Sequence, residues 1–172
     1  MLISKSFWHN KTIAITGSTG FVGKKLVKTL RQNLKKNINI IELSRDKFDL
    51  TKYSDLEKIF KKYKKIDYFI HLAAQVGGIK ANQNNPGKFF YDNAFMGINL
   101  MHLSYLNNVK KFITLATVCG YPSNTKTPFK ESDLWNGYPE ETNAPYGIAK
   151  KILSVQSDAY RRQYKFNSIV LY

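Results

Sequence analysis

The sequence predicts an α/β fold in which a doubly wound, mainly parallel sheet carries helices on both faces. Short apolar runs at 12–16, 38–43, 67–72, 112–117 and 167–172 alternate with amphipathic stretches, the pattern of repeated β-α units. A glycine-rich turn follows the first run and opens the first amphipathic stretch, the place where open α/β sheets bind ligands. Hydrophobic residues make up 43% of 172, enough for one core within the usual size of a domain, so a single domain over 1–172 is expected.

In chain order, residues 12–16 (TIAIT) form a buried strand that runs into Gly17. From 20 to 34, Phe21/Val22, Leu26/Val27, Leu30 and Leu34 recur at helical spacing. Residues 38–43 give the second strand. A helix starts near Ser54, where Ser54 and Glu57 have the spacing of a capping box. Strands at 67–72 (DYFIHL) and 112–117 (FITLAT) flank a helix at 88–107. The stretch 121–145 holds four of the five prolines and reads as a long irregular loop, a kind of segment that is usually functional. A helix at 146–162 and a strand at 167–172 complete the order, with no internal repeat and no low-complexity linker.

Composition narrows the function classes. No apolar run approaches the ~20 residues of a membrane-spanning helix. Residues 1–11 carry Lys5, Lys11 and a Trp-His pair but lack the apolar block of a signal peptide. A single cysteine makes no internal disulfide, which fits a reducing cytoplasm, so a soluble cytoplasmic chain is expected. The net charge is +15, yet only four of the 27 cations are Arg. Nucleic-acid readers favour Arg, or basic clusters interleaved with stacking aromatics. Here Lys58, Lys61, Lys62, Lys64 and Lys65 read as a solvated helix face. No nucleic acid is expected as a partner, and the charge amounts to a general attraction for anionic ligands. No metal site is expected.

The turn Gly17-Ser18-Thr19-Gly20-Phe21-Val22-Gly23 is the first chemical motif. One glycine permits the tight turn, the middle one lets backbone approach a pyrophosphate, and the last lets helix and strand pack closely. The helix N-terminus adds free N–H groups and a positive dipole end. The spacing is GxxGxxG rather than GxGxxG, so a generic Rossmann-type match is imperfect; the strand before it and the helix after it strengthen the assignment.

The segment TGSTGFVG resembles the opening of the extended short-chain dehydrogenase/reductases, a group of NAD-dependent epimerases and dehydratases. His71-Leu72-Ala73-Ala74 resembles their HLAA segment, which passes under the cofactor. Gln75-Val76-Gly77-Gly78, Cys119-Gly120-Tyr121-Pro122 and the stretch 142–150 (TNAPYGIAK) are similar to the GDP-L-fucose synthases and their close relatives. The resemblance implies a Rossmann-type nucleotide-binding domain that works on a GDP-linked sugar.

An acid at the tip of the second strand would accept the ribose 2′-hydroxyl of NAD and repel a 2′-phosphate. This sequence has Ser44-Arg45 there, with Glu42 expected inside the strand. Arg45 can pair bidentately with a phosphate, and its place matches an Arg that the resemblance associates with NADP(H). Asp49-Leu50 resembles the family's pair beside the adenine, with an ordinary Asp before a helix as the alternative.

Tyr146 and Lys150 lie four apart, hence on one helix face. A neighbouring ammonium is expected to lower the phenol's pKa, so that Tyr146 can exchange a proton with a sugar hydroxyl, while Lys150 also holds the cofactor ribose. A YxxxK pair alone says little; in this context the resemblance makes both catalytic and cofactor-binding. Thr117 stands where the family has Ser, its hydroxyl equally able to hydrogen-bond the sugar but its methyl restricting the rotamer. A lone Cys is more often a buried small hydrophobe, but the resemblance gives Cys119 the role of the base that removes a proton beside a 4-keto group. Such a base must ionise, which a nearby positive group favours. His71 is expected to be structural, and His9 and His102 have no motif around them.

Family members continue into a C-terminal region that holds the nucleotide-sugar and supplies a partner His and an Asn-x-Tyr-Gly-Pro-like segment. Nothing after Tyr172 supplies these, so the chain is expected to be the N-terminal half of a longer enzyme. The expected activity is NADP-dependent epimerisation and reduction of a GDP-4-keto-6-deoxy-hexose. The alternatives are another sugar-nucleotide 4-epimerase or dehydratase, or a non-catalytic NADP-binding fragment. The helices near 88–107 and 146–162 carry apolar residues (Phe89, Phe90, Phe95, Met96, Leu100, Leu103; Ile152, Leu153, Val155, Tyr160) in excess of one sheet contact, and a homodimer through them is expected.

Overall fold

Five parallel strands in the order β2-β1-β3-β4-β5 build the sheet: β1 (Lys11–Thr16), β2 (Ile38–Leu43), β3 (Tyr68–His71), β4 (Lys111–Leu115) and β5 (Ser168–Leu171). The computed structural model describes residues 6–34 and 37–172; the first five residues of the stretch read for a signal peptide lie outside them. Helix α1 (Phe21–Leu34) covers one face, where Val27, Leu30 and Leu34 meet Ile13, Ile15 and Ile38. On the other face Leu56, Ile59 and Phe60 of α2 (Tyr53–Lys62) join Met96, Leu100 and Met101 of α4 (Pro86–Leu106) and Leu153 of α5 (Ala144–Tyr164) around Ala14, Phe69 and Phe112. Phe69 and Phe112 are fully buried and stack at 5.7 Å; a truncation of either removes ~3–5 kcal/mol. The winding reverses between β1 and β3, so their carboxyl ends open a crevice where ligands bind in such sheets.

At the opposite end, buried Asp67 ties three strands together. Its carboxylate accepts the Thr12 N–H at 2.9 Å and pairs with Lys110 at 2.8 Å. No helix among the described residues is long and apolar enough to cross a membrane.

Several local expectations are corrected. Phe21 is 96% exposed and Val22 half exposed, because the turn that starts α1 lifts its first residues off the sheet. Ser54 makes no capping box: α2 is capped at Lys52 without a side-chain bond, and Asp55 instead accepts the Asp49 N–H at 2.9 Å. The helix expected at 88–107 starts at Pro86 and is preceded by a short helix α3 (Ile79–Asn84). Pro86 separates them, since it has no N–H to continue the ladder and suits a helix start. Helix α5 begins two residues earlier than expected, with Pro145 in its first turn, and runs to Tyr164. The long loop contains a 3-10 turn at Glu131–Asp133 and a bridge between Pro122 and Pro139.

Candidate active site

The phosphate turn is set by atoms that glycine lacks. Gly17 has φ of +65°, and a Cβ there would lie 2.8 Å from the Ala73 nitrogen. A Cβ on Gly23 would collide with the Gly17 carbonyl oxygen. The turn therefore presses against the end of β3 on one side and receives α1 on the other. Its first helical N–H groups have no partner within the helix and stand at the positive end of the dipole.

These elements border a cleft of about 400 Å³. Gly17, Thr19, Gly20, Phe21, Val22 and Gly23 line it from the turn, and Ser44, Arg45, Asp49 and Leu50 from beyond β2. Leu72, Ala73 and Ala74 line it from the end of β3. Ser18 alone of the turn residues does not; it is buried and its hydroxyl has no hydrogen-bond partner. Glu42 lies inside β2, its carboxylate 2.6 Å from Arg31 on α1. The tip of β2 thus shows the cleft a hydroxyl and a guanidinium, which suits a phosphate. Asp49 accepts the hydroxyl and the N–H of Thr51 at 2.7 and 3.1 Å, and the Thr51 hydroxyl in the first place holds its pKa down. Its carboxylate shapes a turn at the rim of the cleft.

The floor is held from below. The Thr16 hydroxyl accepts the N–H groups of Leu72 and Ala73 at 3.1 and 3.2 Å. The Asn93 amide grips Gln75 at both N–H and carbonyl, each at 2.9 Å. Gln75, Phe48 and Thr51 also line the cleft and were not assigned there from sequence. Asn93 had a signal: it interrupts Phe89, Met96 and Leu100 on an otherwise apolar helix face, a buried amide that must find partners.

Past the end of β4, Thr117 caps a 3-10 turn, Val118–Gly120, by accepting the Cys119 N–H at 3.2 Å. Thr117 therefore lies two residues outside the strand expected to contain it. Helix α5 docks on this turn so closely that a Cβ on Gly147 would collide with the Cys119 carbonyl. The contact brings the Tyr146 phenol to the Thr117 hydroxyl, whose hydrogen bond favours its ionised form. Thr117, Cys119 and Tyr146 are partly exposed and Lys150 is buried. Burial outweighs that bond and pushes the Tyr146 pKa up, with the Cys119 charge pushing the same way. This reverses the expected lowering by Lys150. Lys150 is itself brought down to about 8 by burial, and its ammonium acts on the His71 ring. Thr117, Cys119 and Tyr146 are grouped together, Lys150 follows one turn further along α5, and none of the four lines the cleft. No group of three or more His, Cys, Asp or Glu able to hold a metal occurs among the described residues.

The glycine cradle that added Cβ atoms would fill, together with the Ser44–Arg45 tip, fits a dinucleotide with a further phosphate. Comparisons with known proteins agree with this geometry. Residues 13–172 match the NAD dependent epimerase/dehydratase family. A GDP-L-fucose synthase of Sinorhizobium fredii is 36% identical over 159 residues, 92% of this chain and 49% of that protein. The solved structure of a GDP-D-glycero-L-gluco-heptose synthase from Campylobacter jejuni in the presence of NADPH superimposes with a TM-score of 0.86 at 32% identity, over 94% of this chain and 46% of that one. A GDP-mannoheptose C4 reductase from the same organism, with NADP bound, also gives 0.86, at 31% identity over 94% and 50%. The chain spans about half the length of the curated relatives it matches.

Proposed function

The chain belongs to the NAD dependent epimerase/dehydratase family, and from that premise we propose that it is the nucleotide-binding half of an NADP-dependent epimerase/reductase of a GDP-4-keto-6-deoxy-hexose. The observation that carries this reading is the sharing of one site by Cys119, Thr117 and Tyr146. A reductase or 4-epimerase needs only the hydroxyl and the phenol. A thiol within electrostatic reach of that phenol adds a base for the carbons flanking a ketone.

The turn at Gly17–Gly23 holds the pyrophosphate, Arg45 the 2′-phosphate, and Asp49, Leu50 and Leu72–Ala74 border the rest of the cofactor. NADP(H), when bound, supplies the hydride. Cys119 removes the proton beside the 4-keto group, and Thr117 hydrogen-bonds the sugar oxygen. Tyr146 passes its proton to the oxygen that becomes a hydroxyl, its raised pKa keeping that proton in place until then. Lys150 keeps a positive charge beside the reacting atoms.

Two further parts of the reading concern context. Of the apolar residues expected to pair two copies, Phe89, Met96, Leu100, Leu103 and Leu153 are buried in the chain's own core. Phe90, Tyr91 and Ile98 of α4 and Val155 of α5 remain exposed. A symmetric dimer through these two helices rests on that narrower face. The free thiol of Cys119 fits a reducing, cytoplasmic location.

The test is made in a chain extended by the region its relatives carry. Cys119→Ser should suppress solvent deuterium uptake at the sugar carbons flanking the ketone and leave NADPH binding near normal. Tyr146→Phe should block reduction while some exchange persists. Unchanged exchange in Cys119→Ser would make the cysteine mere packing and move a 4-epimerase or dehydratase ahead.

A further inference from the structure

His71 ends β3 directly beneath the cleft floor and is 1% exposed. Its Nδ1 lies 2.8 Å from the Thr16 hydroxyl, the same hydroxyl that accepts the Leu72 and Ala73 N–H groups. A hydroxyl has two lone pairs and one proton. With both lone pairs occupied, the proton is what Thr16 has left to offer the ring. Nδ1 is then the acceptor, and the neutral imidazole carries its hydrogen on Nε2.

The surroundings hold this state in place. From β4, Thr114 donates its hydroxyl to the His71 carbonyl at 3.2 Å and Phe112 sets its ring 6.4 Å from the imidazole. Neutral hydroxyls thus face the residue from β1 and β4. From α5 comes the ammonium of Lys150, the one charged group among the described residues that acts on the ring.

We propose that Thr16 locks His71 as the neutral Nε2–H tautomer, which offers Lys150 no lone pair and leaves its ammonium free for Tyr146 and the cofactor. His71 is on this view a positioning residue, and the proposal rests on the reading of Lys150 as the lysine that assists Tyr146. Burial first, and then the Lys150 charge, push the His71 pKa well below its ordinary value, in agreement with a ring that stays uncharged. The opposite tautomer would leave Nε2 bare, a lone pair able to accept a hydrogen bond from an ammonium such as that of Lys150.

Nitrogen-15 NMR of the histidine-labelled chain reads the tautomer directly. The wild type should show a pyridine-type Nδ1 and a pyrrole-type Nε2 for His71, unchanged from about pH 8 to about pH 5, where a free histidine would titrate. Thr16→Val removes the donor and should move the hydrogen to Nδ1. The Lys150 side-chain midpoint, followed by carbon-13 NMR, should then rise by at least about half a pH unit, because the new bond favours the charged amine. Thr16→Ser should restore both signals. A pyrrole-type Nδ1 in the wild type overturns the proposal whatever the variants do. So does a Thr16→Val chain with unchanged tautomer and unchanged midpoint. NADPH titration separates the two levels: a chain with the lock intact that binds no cofactor would refute the proposed function and leave the lock standing. Binding with the opposite tautomer would do the reverse.

Discussion

The proposed cofactor side and the proposed catalytic side of this site are built differently. Around the cleft, the phosphate turn, the end of β3 and α4 interlock at the backbone: Gly17 against Ala73, Gly23 against Gly17, and the Thr16 and Asn93 side chains on the N–H groups of Leu72, Ala73 and Gln75. Around the catalytic group, one turn and one helix end meet at Gly147 and Cys119, and the loop beyond turns Phe129, Trp135 and Tyr138 to solvent. The first region is self-sufficient, whereas the second has a preset centre and an apolar rim without cover.

The largest expected effect tests that contrast most severely. Gly23→Ala forces a methyl into the Gly17 carbonyl and must shift α1, so NADPH affinity should fall at least ~100-fold, about 2.7 kcal/mol. Gly147→Ala moves the start of α5 instead and should cost NADPH less than ~10-fold, or 1.4 kcal/mol. Equal losses in calorimetric titrations would show that the two regions are one mechanical unit.

An effect of similar size concerns stability. Lys150 titrates near 8 in the fold against an ordinary 10.5, so the fold gives up about 3 kcal/mol to keep a buried charge. Lys150→Met should raise stability to urea by up to that amount. The wild type bears the full cost below about pH 8 and loses it as pH rises through 10.5, so the variant's advantage should shrink across that window. A destabilised Lys150→Met at neutral pH would mean that the ammonium has a partner in the fold. Smaller again, Arg45→Ala should cost NADPH about tenfold, ~1.4 kcal/mol, with little change for NADH. If the unaltered chain binds both equally, the tip of β2 does not read the phosphate.

The same contrast divides what the sequence made legible from what it did not. The places of the glycine turn, the HLAA segment and the Tyr146–Lys150 pair were readable because they depend on spacing along one element, and covalent geometry preserves spacing. The parallel α/β architecture followed from the alternation of runs. Depth was not readable. Helical periodicity put Phe21 and Val22 in the core, whereas the lifted start of α1 exposes them to the cleft. Proximity of an ammonium to a phenol suggested a lowered pKa, and the burial of both groups reversed the sign. Glu42 was placed inside its strand, but its partner Arg31, eleven residues away on another element, was not readable. Such pairings depend on which faces meet, and periodicity alone does not fix them.

The strand order also has a consequence for how the chain is made. Once β1 and β2 are paired, each later strand adds at the free edge in the order of its synthesis: β3 beside β1, β4 beside β3, β5 beside β4. Every strand leaving the ribosome finds its template already exposed, and no finished pair has to reopen to admit it. Translation proceeds at about 5–20 residues per second, so seconds pass between the appearance of the phosphate turn and that of α5. The glycine turn can close on Ala73 within that interval, before α5 has been synthesised.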